Sequence, residues 1–267
     1  MSAVTFDNVS VTLAHRPILS GVSFAIEPGE FVGVLGPNGA GKTTLMRAIL
    51  GLLPISSGRI DVFGKSPRRG DPAIGYVPQF RRTAGQLGIT GSELLLSAHH
   101  GDRWGPPLPS GEERREIAEA LARVGATDLA NRVVSELSGG ERQRLFVAQA
   151  LVGSPSLLLL DEPLMSLDPA RQRSMVELVR TVSRELNVAV LFSAHEINPL
   201  LGAVDRVLYL GNRHAAIGSV DEVINDHILS TLYRTPVRVI RAEGRIFVTA
   251  EDGAFDGHDH HHDHEDA

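Results

Sequence analysis

The stretch Gly36-Pro37-Asn38-Gly39-Ala40-Gly41-Lys42-Thr43-Thr44 decides the fold class of this 267-residue chain. It fits the pattern G-x-x-x-x-G-K-[ST], in which a glycine-rich turn joins a buried strand to a helix. The apolar run Phe31–Leu35 precedes the stretch, and a helix is predicted from about Lys42 to Leu50, ending at Gly51. Backbone N–H groups at the positive end of a helix dipole attract phosphate. The stretch therefore predicts a phosphate-binding loop in an α/β core.

The loop also predicts the ligand, a nucleoside triphosphate with Mg²⁺. Lys42 would neutralise the β- and γ-phosphates, and the hydroxyl of Thr43 would ligate Mg²⁺. The predicted nucleotide-binding residues are consecutive in the sequence: Gly36, Pro37, Asn38, Gly39, Ala40, Gly41, Lys42, Thr43 and Thr44.

A second apolar strand, Leu157–Leu160, ends in two adjacent carboxylates, Asp161 and Glu162. Open α/β sheets bind ligands at the carboxyl ends of their strands. Asp161 is predicted to hold Mg²⁺, directly or through water, and Glu162 to accept a proton from an attacking water. His195, which follows the predicted strand Val188–Phe192, is the other candidate for the general base. We prefer Glu162 because a carboxylate is already ionised at neutral pH.

The remaining pattern predicts a helical insertion within the α/β core. Strands are predicted at Val4–Leu13, Leu19–Ile26, Arg59–Phe63 and Ile74–Val77, and helices at Ser92–His99, Glu112–Val124 and Glu141–Leu151. Strands and helices then alternate as in a parallel sheet: Leu157–Leu160, Ala170–Leu186, Val188–Phe192, a short helix Glu196–Leu201, and Val207–Leu210 closing the core. Val237–Ile240 and Ile246–Thr249 predict a terminal hairpin.

Composition excludes several classes of protein. The net charge is −6, but residues 251–267 carry seven of the 32 acidic residues and no Lys or Arg, so the rest of the chain is close to neutral. This gives no electrostatic case for nucleic-acid binding. The absence of cysteine excludes disulfides and thiolate metal sites. No apolar run reaches the roughly 20 residues of a membrane-spanning helix, and no signal peptide is evident, so a cytosolic protein is expected.

The acidic tail also contains a cluster of histidines. They are interleaved with carboxylates and are His258, His260, His261, His262 and His264. Imidazole and carboxylate suit Zn²⁺, Ni²⁺ or Cu²⁺, so the tail is a predicted zinc-binding segment that would buffer or sense metal. An inert solubilising tail or a cloning tag is the alternative, and the interleaved Asp and Glu argue against a tag.

Several short motifs, in this order and spacing, resemble the nucleotide-binding subunit of ABC transporters over residues 4–235. Besides the glycine loop and the Asp161-Glu162 pair, they are Gln79 of Ile74–Gln79 (the Q-loop), Leu137–Arg144 (the signature), Ser166-Leu167-Asp168 (the D-loop) and the switch histidine His195. The resemblance implies a P-loop NTPase core with a RecA-like parallel sheet, an antiparallel β subdomain and a helical subdomain of the ABC ATPase type. The implied boundaries are 1–235 for the ATPase domain, about 81–155 for its helical subdomain, 236–252 for a β-hairpin extension and 253–267 for a disordered tail.

The resemblance also implies roles for residues. The catalytic residues would be Glu162, His195 and Gln79, with Mg²⁺ held by Thr43, Asp161 and Gln79. ATP would be clamped between two subunits of a homodimer, each offering its signature to the other's nucleotide. The residues that would act on the opposite subunit's ATP are Ser138, Gly139, Gly140 and Glu141, and Asp168 belongs to the D-loop. Glu141 replaces the commoner Gln, and Leu13 stands where the family stacks adenine on an aromatic ring, with His15 close by.

The implied partners are an integral membrane permease and an extracytoplasmic solute-binding protein, which would place the chain on the cytoplasmic face of the plasma (inner) membrane. Segment Phe80–Ser110 would contact the permease. Segment Ser193–Val223 resembles the zinc and manganese uptake branch, so import of Zn²⁺ or Mn²⁺ is expected. Three alternatives stay open: an importer for iron chelates or another nutrient, a soluble ABC ATPase acting on ribosomes or DNA, and a metal-storage module.

Overall fold

The computed structural model describes residues 1–79, 88–100, 109–165 and 167–250. Within these ranges the strands are β1 (Val4–Leu13), β2 (Arg16–Ile26), β3 (Phe31–Leu35), β4 (Ser57–Val62), β5 (Ile74–Val77), β6 (Leu157–Leu160), β7 (Ala189–Ser193), β8 (Arg206–Gly211), β9 (His214–Gly218), β10 (Val237–Ala242) and β11 (Arg245–Ala250). The helices are α1 (Lys42–Ile49), α2 (Gly91–His100), α3 (Gly111–Arg123), α4 (Gly139–Leu151), α5 (Pro169–Leu186), α6 (Val220–Val223) and α7 (Asp226–Tyr233). Short 3-10 turns occur at Thr127–Leu129, Val134–Glu136 and Asn198–Leu200.

A mixed sheet with the order β5-β6-β7-β3-β8-β9 forms the centre of the described part of the chain. The strands from β5 to β8 pair in parallel, and β9 adds an antiparallel edge to β8. Every residue of Phe31–Leu35 and of Leu157–Leu160 is buried, because helices or a second sheet cover both faces of a parallel sheet. Because β6, β7 and β3 are parallel neighbours, their carboxyl ends lie side by side at one end of the sheet.

A second, antiparallel sheet with the order β2-β1-β4 covers one face of the centre. Its buried side chains form one core cluster with α1 and with alternate residues of the central strands, including Val32 and Leu159. The rings of Phe6 and Phe24 stack within it, 4.5 Å between centroids. This packing fixes the position of α1, and therefore of the loop that precedes it.

Helices α2, α3 and α4 pack together through another core cluster, which includes Leu95, Leu121 and Leu145. Helix α4 also lies directly against β5. A side-chain carbon at Gly75 would come 2.1 Å from the carbonyl oxygen of Ala150, so this approach requires glycine. Helix α4 thereby fixes the helical layer to β5, the edge strand that ends shortly before Gln79.

The predicted β1, β3, β5 and β6 are confirmed residue for residue, and the other predicted strands and long helices are confirmed within a few residues. Two predictions were wrong. Val207–Leu210 does not close the sheet, since β9 follows it, and the predicted helix Glu196–Leu201 is a 3-10 turn. Helices α6 and α7 were not predicted; α7 is fixed to β8 by a hydrogen bond between Tyr209 and Tyr233 of 2.6 Å.

Some predictions lie outside the described residues. They concern Ser166, about half of the proposed permease-contacting segment Phe80–Ser110, and the tail with its five histidines. The domain boundaries given above stay predictions. Across the described ranges, no helix combines the length and hydrophobicity that a bilayer-spanning segment requires.

Candidate active site

The glycine loop connects β3 to α1 as the sequence predicts. Gly36 follows β3 with a φ of 142°, and a side-chain carbon there would lie 2.3 Å from the carbonyl oxygen of Leu210 in β8. Gly41 is the N-cap of α1 with a φ of 103°. Both positions therefore require glycine. The tight turn between them is closed by a bond from the N–H of Ala40 to the carbonyl of Pro37, 3.1 Å.

Lys42 is only 4% exposed, and its ammonium lies inside the loop. It donates to the carbonyl oxygens of Gly36 at 2.8 Å and of Pro37 at 3.3 Å. Its nitrogen is 3.6 Å from Oε1 of Glu162. Burial lowers the pKa of Lys42, whereas the carboxylates of Glu162 and Asp161 act in the opposite direction. The loop thus holds a desolvated cation where an anionic ligand would gain most from it.

The three residues predicted to be catalytic meet at one carboxylate oxygen. Oε2 of Glu162 accepts from Nε2 of Gln79 at 2.6 Å and lies 3.1 Å from Nε2 of His195. Glu162 is 7% exposed, and the side chain of His195 is 43% exposed. These residues follow β5, β6 and β7, so adjacent strand ends bring together positions far apart in sequence.

Ser193 is a site residue that the sequence reasoning missed. Its hydroxyl accepts from the backbone N–H of Glu162 at 2.7 Å and donates to Oδ1 of Asp161 at 3.1 Å. This contact helps hold Glu162 at a φ of 52°, a left-handed conformation that is costly for a non-glycine residue. The signal that could have found Ser193 is a small polar residue at the end of the fully buried strand β7.

The residues present fit a nucleotide with a divalent cation. Asp161 is fully buried, and its Oδ2 atom has no hydrogen-bond partner among the described residues. A buried, unpaired carboxylate oxygen is costly unless a cation binds it. Thr43 lies half-buried in the first turn of α1. Asp161, Thr43 and Gln79 are thus available as oxygen donors, the ligand type that Mg²⁺ prefers. Within the ranges that the structure describes, no group of three or more His, Cys, Asp or Glu side chains is arranged to hold a metal ion by itself.

The signature residues begin α4, where Ser138 and Glu141 form a capping box. The N–H of Ser138 donates to Glu141 at 2.7 Å, and Arg132 donates to the other carboxylate oxygen, also at 2.7 Å. Hydrogen bonds with Ser138, together with Arg132, lower the pKa of Glu141 to about 2. The carboxylate that replaces the commoner glutamine therefore stabilises the start of this helix.

The structure does not bring the signature to the cluster around Glu162. Ser138, Gly140 and Glu141 line a cavity of about 560 Å³ together with Arg144 and Arg171. Glu162 and His195 line a different one of about 190 Å³. Within one chain, the signature and the cluster around Glu162 therefore line two separate cavities.

Asp168 and Leu13 occupy positions with local structural roles. Asp168 caps α5 by accepting from the N–H groups of Ala170 at 3.1 Å and Arg171 at 3.0 Å. Leu13 is half-buried and pairs with Arg16 across the β1–β2 turn, and His15 is exposed in that turn. Adenine contact at Leu13 or His15 stays a prediction.

Comparison with known proteins agrees with this geometry. The family model described as "ABC transporter" matches residues 19–165. Zinc import ATP-binding protein ZnuC of Yersinia pseudotuberculosis is 37% identical over 224 residues, which are 84% of this chain and 81% of that protein. The ZnuC of Cereibacter sphaeroides is 36% identical over 226 residues, covering 85% of this chain and 86% of the relative. A solved chain from an ABC transporter in an inward-facing conformation superimposes with a TM-score of 0.78 at 25% identity, covering 93% of this chain and 96% of that one.

Proposed function

This chain belongs to the ABC transporter family of ATP-binding proteins, and on that premise we propose that it hydrolyses ATP to drive zinc import through a membrane permease. The observation that carries the proposal is the convergence of Gln79, Glu162 and His195 beside Lys42 at one sheet edge. Zinc, rather than manganese, follows from the names of the relatives described above. Members of this family bind ATP with Mg²⁺.

The proposed chemistry assigns each group a step. Lys42 and the loop N–H groups would bind the β- and γ-phosphates. Mg²⁺, held by Asp161, Thr43 and Gln79, would neutralise charge on the phosphate oxygens. Glu162 would accept a proton from the attacking water, and His195 would orient toward the γ-phosphate. In the structure Oε1 of Glu162 is close to Lys42, and Oε2 accepts from Gln79 and lies beside His195. Lys42, Gln79 and His195 would therefore have to turn toward the nucleotide before Glu162 could act as a base.

A homodimer is the second part of the proposal. The signature at Ser138–Glu141 and the cluster around Glu162 line separate cavities. A nucleotide in the glycine loop of one copy could therefore meet the signature of a second copy arranged head to tail. Asp168, exposed at the start of α5, would lie at the same interface.

The proposed partners are an integral membrane permease and an extracytoplasmic solute-binding protein. The chain would be peripheral, on the cytoplasmic face of the membrane. An iron-chelate importer has less support, because the relatives described above are named as zinc import proteins. A ribosome- or DNA-directed ATPase and a metal-storage module have less support still.

A growth experiment tests which metal ion is transported. Cells lacking this chain should stop growing in chelator-treated medium and should recover when zinc is added, but not when manganese or iron is added. Expression of the wild-type chain should restore uptake of radioactive zinc, and expression of the Glu162→Gln variant should not. Normal zinc uptake without the chain would reject the proposal, and recovery on added iron would favour the iron-chelate importer.

We also propose that the histidine-rich tail binds zinc. The five histidines and their neighbouring carboxylates are borderline donors that suit this ion. Isothermal titration with Zn²⁺ should give at least one more binding equivalent for the full-length chain than for a chain of residues 1–250. A third protein, with all five histidines changed to asparagine, keeps the tail length and should behave like the truncated chain. Equal binding by all three proteins would reject a metal role for the tail.

A further inference from the structure

The 3-10 turn Asn198–Leu200 connects the segment of His195 to the C-terminal hairpin. The side-chain amide of Asn198 makes two hydrogen bonds to one residue of β11. Its Nδ2 donates to the carbonyl of Ile246 at 2.9 Å, and its Oδ1 accepts from the N–H of Ile246 at 2.8 Å. Ile246 is 5% exposed, so both bonds reach a buried part of the hairpin. Breaking them would leave buried backbone groups unpaired, which costs free energy.

The other side of this turn faces the active site. Pro199 lines the same cavity as Glu162 and His195. Ile197 and Leu200 are buried in the core. The N–H of Ala194, just before His195, is bonded to β3 at 3.1 Å. The backbone of His195 therefore lies between a fixed point on the sheet and a fixed point on the hairpin.

The hairpin is also fixed to the helices that precede it. Ser230 of α7 accepts from the N–H of Val237 at 2.9 Å and donates to its carbonyl at 3.4 Å. Asp226 accepts from the N–H of Val239 at 2.7 Å. These contacts resemble the one at Asn198 in kind, but they lead away from His195.

We propose that Asn198 is a positioning residue that keeps His195 within reach of Glu162 by fixing its segment to the hairpin. The Nε2 atom of His195 is 3.1 Å from the carboxylate, and its side chain is substantially exposed. An exposed imidazole needs backbone restraint to stay at that distance, because solvent offers it competing hydrogen bonds. The proposal depends on the role of His195 proposed above, and it assigns the hairpin a part in ATP hydrolysis.

Steady-state ATPase kinetics of the full-length chain test this inference. Asn198→Ala should lower kcat about 10-fold or more, since a misplaced catalytic group can cost up to about 10²-fold. The KM for ATP should stay within about 2-fold, because the glycine loop is untouched. Ser230→Ala removes a matched pair of hairpin bonds and should leave kcat unchanged. Thermal unfolding of both variants shows whether they lose comparable stability.

A double-mutant cycle separates positioning from a general structural role. In the His195→Ala background, Asn198→Ala should cause no further loss of kcat, because there is no imidazole left to position. A full additional loss in that background would overturn the proposal. Wild-type kcat in Asn198→Ala, or an equal loss in Ser230→Ala, would overturn it as well. A wild-type chain that fails to hydrolyse ATP would instead contradict the proposed function.

Discussion

Replacing Glu162 with glutamine is expected to lower ATP turnover about 10²- to 10⁴-fold, the usual contribution of a general base. Glutamine keeps the size and hydrogen-bonding capacity of the side chain but cannot accept a proton from water at neutral pH. Single-turnover measurement of phosphate release from ATP, with purified protein and Mg²⁺, checks this value. ATP binding, measured by equilibrium titration, should be retained.

Nucleotide binding by Glu162→Gln should even become tighter than in the wild-type chain. The carboxylate of Glu162 lies 3.6 Å from the ammonium of Lys42 and competes with phosphate for it. Loss of that charge frees the lysine for the nucleotide. ADP is the suitable probe, because its affinity does not depend on hydrolysis.

Glu196→Gln is the matched control for both measurements. Glu196 is an exposed carboxylate that lines the same cavity as Glu162. Its removal changes the local charge equally but removes no proposed proton acceptor, so turnover should stay near the wild-type value. Near-normal hydrolysis by Glu162→Gln, or an equal loss in Glu196→Gln, would rule out Glu162 as the base.

Replacing Lys42 with alanine is expected to weaken ATP binding about 10²-fold or more. A hydrogen bond to a charged group contributes about 1.5–3 kcal/mol, and this ammonium would serve two phosphates. Each 1.4 kcal/mol corresponds to about 10-fold in affinity. The variant also loses the bonds that hold the carbonyls of Gly36 and Pro37, so the loop itself should become less ordered. Equilibrium binding of ATP with Mg²⁺ measures the effect.

Lys65→Ala provides the control, since Lys65 is the only other lysine in the sequence and is exposed. Its side chain can be removed without changing the glycine loop. ATP affinity should stay within about 2-fold of the wild-type value. Unchanged affinity in Lys42→Ala would mean that the nucleotide binds elsewhere, and the assignment of the loop would fail.

Local sequence patterns were sufficient to predict most of the fold. Leu157–Leu160 is an apolar run that only a buried strand accommodates, and the residues around Lys42 follow a motif whose conformation is set by glycines. Edge strand β9 was missed because His214–Gly218 is short and half-exposed, with no clear alternation. Helices α6 and α7 have only 4 and 8 residues, so neither is long enough to show a clear repeat of apolar residues in the sequence.

Contacts between distant segments were beyond what patterns could predict. The bonds from Ser193 to Asp161 and to Glu162 depend on β6 and β7 being neighbours. The bonds from Asn198 to Ile246 depend on where the hairpin packs. Neither set of hydrogen bonds can be predicted from the spacing of residues or from composition. The assignment of His195 and Gln79 rested on the family resemblance, whereas Glu162 was predicted from its place at the end of a buried strand. The structure adds that all three side chains meet at one oxygen of Glu162.

The strand order β6-β7-β3 has a consequence for how this protein can vary. Lys42 and Glu162 are separated along the chain by the whole helical layer, yet the sheet sets the distance between them. Changes to the exposed side chains of α3 would alter the surface of the helical layer without moving Lys42 and Glu162, which the sheet holds in place. Under the proposed function, the same nucleotide site could therefore serve a different membrane partner after changes confined to these exposed side chains.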